Sequence, residues 1–252
     1  MKKIAFLMLC CGLICASCAV DGKKILSKYT STVTESNNII EKTFNVESFD
    51  EIDVSGHMNV KFIQTIGERK VDVKCADNIM DLLVIKVKDD ALLIKFKNGV
   101  NVRCKTLDIT VHGPKLEEVH LAGSGQIDLS EGLKTNDLSC SLSGSGKIEG
   151  MNIVCHEADF KVAGSGRILM AKLFASEVET DISGSGEAAL SGTTDKVEFN
   201  ISGSGEINAV ALEAKWGSAN ISGSGKIKCN VKNLQQSTAG SGKVTNEHVS
   251  VQ

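Results

Sequence analysis

The tripeptide Gly-Ser-Gly occurs seven times, starting at Gly123, Gly144, Gly164, Gly184, Gly203, Gly223 and Gly240, at intervals of 21, 20, 20, 19, 20 and 17 residues. A turn that recurs with this period marks a solenoid. Each unit is one coil that cannot bury its apolar side alone and must stack on its neighbours.

Aligning the coils on the first glycine tests that expectation. Two residues before it stand Leu121, Leu142, Val162, Ile182, Ile201, Ile221 and Thr238; four after it stand Ile127, Ile148, Ile168, Ala188, Ile207, Ile227 and Val244. Six after it stand Leu129, Gly150, Met170, Leu190, Ala209, Cys229 and Asn246. Polar columns alternate with these, among them Gln126, Lys147, Arg167, Glu187, Glu206, Lys226 and Lys243. Alternation along the coil is the period of a strand with one buried face. Similarity down the stack requires parallel, in-register rungs about 4.8 Å apart. The fold expected is all-β, a single-stranded β-helix with coils of about 20 residues.

The corner has its own chemistry. The paired glycines are Gly123 and Gly125, Gly144 and Gly146, Gly164 and Gly166, Gly184 and Gly186, Gly203 and Gly205, Gly223 and Gly225, and Gly240 and Gly242. A sharp bend between stacked strands needs positive φ or close backbone approach, which a residue without Cβ tolerates. The serines between them, Ser124 through Ser241, are expected to form a hydroxyl ladder along one edge. A nucleophilic or phosphate-cradling role does not fit, because the elbow spacing, an in-register His and a following helix are all missing from the sequence pattern. Five residues before the corner, Asp159, Glu179 and Glu198 stack as like charges. A solvated face is the expectation, with calcium bridging as the sharper alternative.

From Thr43 to His112 the chain reads as strands at 51–54, 58–64, 70–75, 83–88, 92–97, 102–105 and 107–112, with a helical turn over 77–82. Breaks fall at Gly67-Glu68, Asp89-Asp90, Asn98-Gly99 and Gly113-Pro114, and Asn98-Gly99 reads as a hairpin turn. Val54-Ser55-Gly56-His57-Met58 aligns with Leu121-Ala122-Gly123-Ser124-Gly125, as a worn first coil. Residues 43–115 are therefore expected to be a strand meander that caps the N-terminal end of a solenoid spanning 116–247. Beyond Asn233 the columns turn polar, so the last coil reads as a lid.

The N-terminus carries an address. Met1-Lys2-Lys3 followed by the apolar run Ile4–Ile14 matches an export signal, too short for a membrane span. It ends in Cys15-Ala16-Ser17-Cys18, which resembles a bacterial lipobox with Cys18 as the acylated residue of a 1–18 signal. Cys15 departs from the usual Leu, which leaves open an ordinary signal-peptidase cut near Ala16 or Ala19. Residues 19–42 read as a polar, flexible tether. Of the remaining cysteines, Cys75, Cys104, Cys140, Cys155 and Cys229, none has metal-ligand spacing. Buried free thiols are preferred to a Cys75–Cys104 disulfide.

Composition narrows the function. With 28 basic and 31 acidic residues there is no basic field for nucleic acid. The repeated corners, the export signal and the leading Val-Ser-Gly-His-Met-Asn-Val segment before a strand meander resemble the head GIN domain family, over about residues 44–246. That family is described as autotransporter adhesins and is frequent among Bacteroidetes lipoproteins. The resemblance implies a β-solenoid at the cell envelope with an adhesion role, and it offers no catalytic residues to carry over. The expected protein has no cofactor and is exported, lipid-anchored at the outer membrane and non-catalytic. It would bind a protein or glycan of the envelope or host surface through its solenoid faces, with the membrane met only through the anchor. The alternatives are a β-helix enzyme acting on polysaccharide, for which Asp159, Glu179, Glu198 and Lys161 come closest, and a structural envelope assembly protein.

Overall fold

The computed structural model describes residues 32–248. The export signal, the lipobox with Cys18 and the first part of the tether lie outside them. The strands before the repeat are β1 (Thr32–Thr34), β2 (Ile39–Asn45), β3 (Glu51–Gly56), β4 (Asn59–Gln64), β5 (Lys70–Ala76), β6 (Leu83–Lys88), β7 (Ala91–Phe96), β8 (Asn101–Arg103) and β9 (Leu107–Gly113), with a single turn of helix, α1 (Asp77–Met80). The repeat comprises β10 (Glu118–Gly123), β11 (Gln126–Leu129), β12 (Leu133–Lys134), β13 (Asp137–Gly144), β14 (Lys147–Val154), β15 (Glu157–Gly164), β16 (Arg167–Phe174), β17 (Glu177–Gly184), β18 (Glu187–Gly203), β19 (Glu206–Gly223), β20 (Lys226–Gly240) and β21 (Lys243–Asn246). Together they wind a β-solenoid of about six turns.

The register is the one the columns demand. Ile127 pairs with Ile148, Ile148 with Ile168, Ile168 with Ala188, Ala188 with Ile207 and Ile207 with Ile227, all in parallel strands. The isoleucines of this file are fully buried. Each contributes roughly 1.5–3 kcal/mol by leaving water, but only while a neighbouring rung covers it. A second file on the other wall runs Cys140, Phe160, Thr180, Phe199 and Ala219. Between the walls alternation breaks at Met151-Asn152, where both side chains are exposed and Asn152 has φ +56°. This second corner turns the strand onto a short third wall before the next rung begins.

The worn first coil is a true rung. Leu121 pairs with Val54, Gly123 with Gly56 and Ile127 with Val60. Met58, fully buried, stands where later corners have their second glycine. Below this rung lies another that has no Gly-Ser-Gly corner: β7 pairs in parallel with β3, and β9 with β4. The cap then reverses direction, with β6 antiparallel on β7, β5 antiparallel on β9 and β2 antiparallel on β5. Helix α1 adds the buried Ile79 and Met80.

Two expectations need correction. Thr32–Thr34 and the first half of Ile39–Asn45, which the sequence places inside the tether of 19–42, are strands. The polar composition hides the fact that an edge strand is held by backbone pairing and a few polar anchors. Asp77 receives bonds from the Ser36 hydroxyl (2.5 Å) and the Asn38 amide (2.8 Å), and the Glu35 carboxylate accepts from the backbone N–H of Lys105 and Thr106. Second, Asn98-Gly99 does not make a hairpin between β7 and β8, because β8 pairs in parallel with β1. The two-residue hairpin turn is Asp89-Asp90 between β6 and β7, with φ +53° and +64° at its centre. Aspartate tolerates that left-handed conformation.

At the far end, Gln236 and Thr238 occupy inward columns and are exposed, so the last rung closes the core with polar groups. All five cysteines in the described residues are free thiols, Cys75 and Cys104 included.

Candidate functional site

The Gly-Ser-Gly edge is held chiefly by backbone. The Ser185 N–H donates to the Gly164 carbonyl at 2.9 Å, and the same bond repeats at Ser145, Ser165, Ser204 and Ser224. The first glycine of each corner has φ between +116° and +137°, and a Cβ there would lie 2.2–2.7 Å from the carbonyl oxygen of the glycine one rung below. The serine side chains line up exposed, as expected. The hydroxyl contact found in this row is Ser224 Oγ to Ser241 Oγ, 3.0 Å. Chemically the edge is a smooth hydroxyl strip, flanked by the outward column that carries Lys147, Arg167, Glu187, Glu206, Lys226 and Lys243.

The acidic column does form. Asp159 pairs with Glu179, and Glu179 with Glu198. Lys161 bonds Asp159, and the Asn200 amide donates to Asp181 (3.0 Å) and Glu198 (3.2 Å), which disperses the charge. Burial first, and then Asp181, Asp159 and Glu198, push the Glu179 carboxyl above its ordinary range. These carboxylates do not converge within reach of one ion, so the calcium alternative loses its geometry. Among the described residues, the ionisable trio whose ligand atoms lie within 4.8 Å of one another is Glu51, Glu118 and His120.

What periodicity did not disclose are two grooves on the outer surface. The larger, about 880 Å³, crosses the short third wall and is lined by Cys155, Phe174, Ser176, Thr193, Asp195, Glu213, Lys215, Asn230, Lys232 and His248, among others. Its C-terminal boundary comes from a shortened coil. Seventeen residues separate Gly223 from Gly240 where twenty separate Gly203 from Gly223. The pairing of β19 with β20 accordingly skips residues 210–212. Phe174 is 47% exposed, and Trp216, next to the lining Lys215, is 61% exposed. Lys215 is paired with Asp195 at 2.6 Å, and the His248 Nδ1 lies 3.0 Å from the Asn230 amide oxygen. The buried Thr194 hydroxyl sits 3.0 Å and 3.1 Å from the carbonyls of Ser176 and Lys196, which fixes the floor. An aromatic face beside hydroxyls, an amide and charges of both signs suits a polar, extended ligand.

The second groove, about 680 Å³, lies outside β14, β16, β18 and β19, and is mainly apolar: Met151, Leu169, Met170, Ala171, Leu190 and Val210 line it. Leu169 and Ala189 stand in an outward column that elsewhere reads Asp128, Glu149, Asn208 and Lys228. That break in polarity was present in the sequence. The register shift at Met170/Leu173 was not; Phe174 itself faces outward by alternation after the buried Leu173, as Val154 does one rung earlier after Ile153.

Residues 48–247 match the protein family described as "Putative auto-transporter adhesin, head GIN domain", and the chain belongs to that family. No curated protein is a significant match. Among solved structures, the fold is similar to a "putative lipid binding protein" of Parabacteroides distasonis, with TM-score 0.79, 25% identity and coverage of 86% of this chain and 99% of that one. It is similar also to a "putative adhesin" of Parabacteroides merdae, with TM-score 0.73, 20% identity and coverage of 86% and 99%. A further "putative adhesin", from Bacteroides fragilis, gives TM-score 0.68, 22% identity and coverage of 85% and 99%.

Proposed function

We propose that this head GIN domain protein is a non-catalytic adhesin of the cell envelope, exported by its N-terminal signal, anchored through a lipid on Cys18, and binding a glycan chain in the groove of the third wall. The observation that carries the reading is the groove itself: about 880 Å³, spanning several coils, with exposed Phe174 beside Ser176, Thr193, Asn230 and the Asp195–Lys215 pair. Aromatic faces pack on the apolar faces of sugar rings, and fixed polar groups around them give orientation. Several rungs offering equivalent groups suit a polymer, whose repeated weak contacts add through effective concentration. Against catalysis, the carboxylates on the walls are dispersed by Lys161 and Asn200 rather than set as an isolated pair about a cleft.

The test is retention of the full chain on immobilised envelope and host glycans, with Phe174→Ala and Lys215→Ala as variants. Retention that falls about tenfold in each variant supports the groove; retention unchanged in both removes it. Turnover of any polysaccharide that disappears in Glu179→Gln would replace the adhesin reading with an enzyme.

A second reading is favoured by the apolar groove of about 680 Å³. A lipid acyl chain would cover Met151, Leu169, Ala171 and Val210, in keeping with the name given to the Parabacteroides distasonis structure. Co-purified lipid seen by native mass spectrometry, and lost in Leu169→Gln, would support it.

A further inference from the structure

We propose that Glu51, Glu118 and His120 form a binding site for a divalent transition-metal ion of the zinc type. Glu51 on β3 and Glu118 on β10 are direct partners in the parallel ladder, so their side chains leave the sheet side by side. His120, two residues beyond Glu118, projects from the same face. Its Nε2 lies 3.5 Å from Glu51 Oε1 and 3.4 Å from Glu118 Oε2. Ligand atoms held 2.0–2.2 Å from a tetrahedral ion stand about 3.3–3.6 Å from one another. The two spacings to the imidazole already have that value, on neighbouring strands of one ladder, and all three ligand atoms lie within 4.8 Å of one another.

The surrounding charge points the same way. Like charges directly opposite each other destabilise a sheet, and the ion pairs made by Glu51 and Glu118 are both with His120. The acids beside them are treated differently: Lys115 neutralises Asp50 at 3.3 Å and Glu117 at 2.7 Å. In the ladder, Glu51 is followed by Ala91, Glu118 by Ser139 and His120 by Ser141, while Asp53 opposite His120 adds a further negative charge. Neither adjoining rung brings a lysine or arginine into these columns. A dication supplies the missing positive charge. An imidazole with two carboxylates suits zinc, cobalt or nickel, whereas calcium and magnesium prefer oxygen throughout. Three protein ligands leave a fourth position open, and it faces outward, since the Glu118 side chain is 56% exposed. The site lies on β3 and β10 and is independent of the groove assignment.

The test is calorimetric titration of the full chain with zinc chloride after chelator treatment, repeated with cobalt and read by absorption. One ion per chain is expected at this site, with affinity reduced about tenfold or more in Glu51→Gln and in His120→Ala and unchanged in His156→Ala, an exposed histidine of another coil. Cobalt should give tetrahedral bands without the strong thiolate charge-transfer absorption that binding at the N-terminal cysteines would produce. Binding equally tight in both ligand variants, or a thiolate spectrum alone, overturns the proposal. So does an NMR titration of the unaltered chain in which the His120 ring resonances do not move with zinc.

Discussion

Replacing Gly184 by alanine should cost the solenoid much more than replacing the serine beside it. Gly184 has φ +116°, outside the regions an L-residue prefers, and a Cβ there would stand 2.7 Å from the Gly164 carbonyl oxygen. Holding alanine in such a conformation costs on the order of 1–3 kcal/mol. The contact must also open by about half an ångström, and the carbonyl it presses on is the acceptor for the Ser185 N–H at 2.9 Å. Losing most of that bond adds roughly 0.5–1.5 kcal/mol. The total, about 2–4 kcal/mol, is a large share of the ~5–15 kcal/mol that holds a typical domain together. Gly186→Ala separates the two causes. Gly186 shows no positive φ, and its Cβ would meet the Val162 Cγ1 at 2.4 Å and the Gly166 carbonyl oxygen at 3.0 Å, so its cost is steric alone. Ser185→Ala changes only an exposed hydroxyl and should stay within about 0.5 kcal/mol of the native protein. Urea unfolding followed by far-ultraviolet circular dichroism reads all three. A Gly184→Ala midpoint indistinguishable from that of Ser185→Ala would show that neither backbone conformation nor rung spacing sets the corner, and would refute the reasoning.

Thr180 lies fully buried between Phe160 and Phe199, with its hydroxyl unbonded. Thr180→Val should therefore raise stability by about 1 kcal/mol, seen as a higher urea midpoint. The Glu179 carboxyl is raised by burial and by its acidic neighbours, so its charged form is disfavoured on folding and stability is lost as pH rises from its ordinary 4.5 through the folded value. Glu179→Gln should accordingly raise the midpoint at pH 7, with the benefit fading below pH 4.5. Asp77 behaves oppositely. Bonds from Ser36, Asn38 and the Asn78 N–H lower its carboxyl, so its contribution is complete above its ordinary 3.8 and lost as pH falls through the lowered value. Hydrogen exchange of β2 should speed up in Asp77→Asn at pH 7 and match the native protein at the acid end. Burial pushes the thiols of Cys75, Cys155 and Cys229 up to about 11. Peptide-resolved alkylation at pH 8 should leave Cys75, Cys229 and the buried Cys140 unmodified until denaturant is added, and should be slow at Cys155, which is part-buried and lines the larger groove.

The sequence alone carried the solenoid because every rung repeats the same local problem. A corner needs glycine, the inward positions need Ile, Leu or Val, and stacking makes like positions meet, so the register of Ile127 on Ile148 and of Leu121 on Val54 could be read before any coordinates. It could not disclose the rung built from β7 and β9, which has no Gly-Ser-Gly corner and joins the stack through strands distant in sequence. Nor could it see that Thr32–Asn45 is held, since edge strands owe their place to partners found elsewhere in the chain, such as Asp72 opposite Thr43. Asp89-Asp90 was legible as a break, but that it and not Asn98-Gly99 makes the hairpin was decided in the same way, by which strands meet. The candidate surfaces divide along the same line. Leu169 and Ala189 were visible as apolar members of an outward column. The larger groove and the meeting of Glu51 with Glu118 and His120 came only from three dimensions. They arise where coil lengths differ or residues some 67 positions apart become neighbours. A repeat specifies what its coils share, and binding surfaces form where the coils differ.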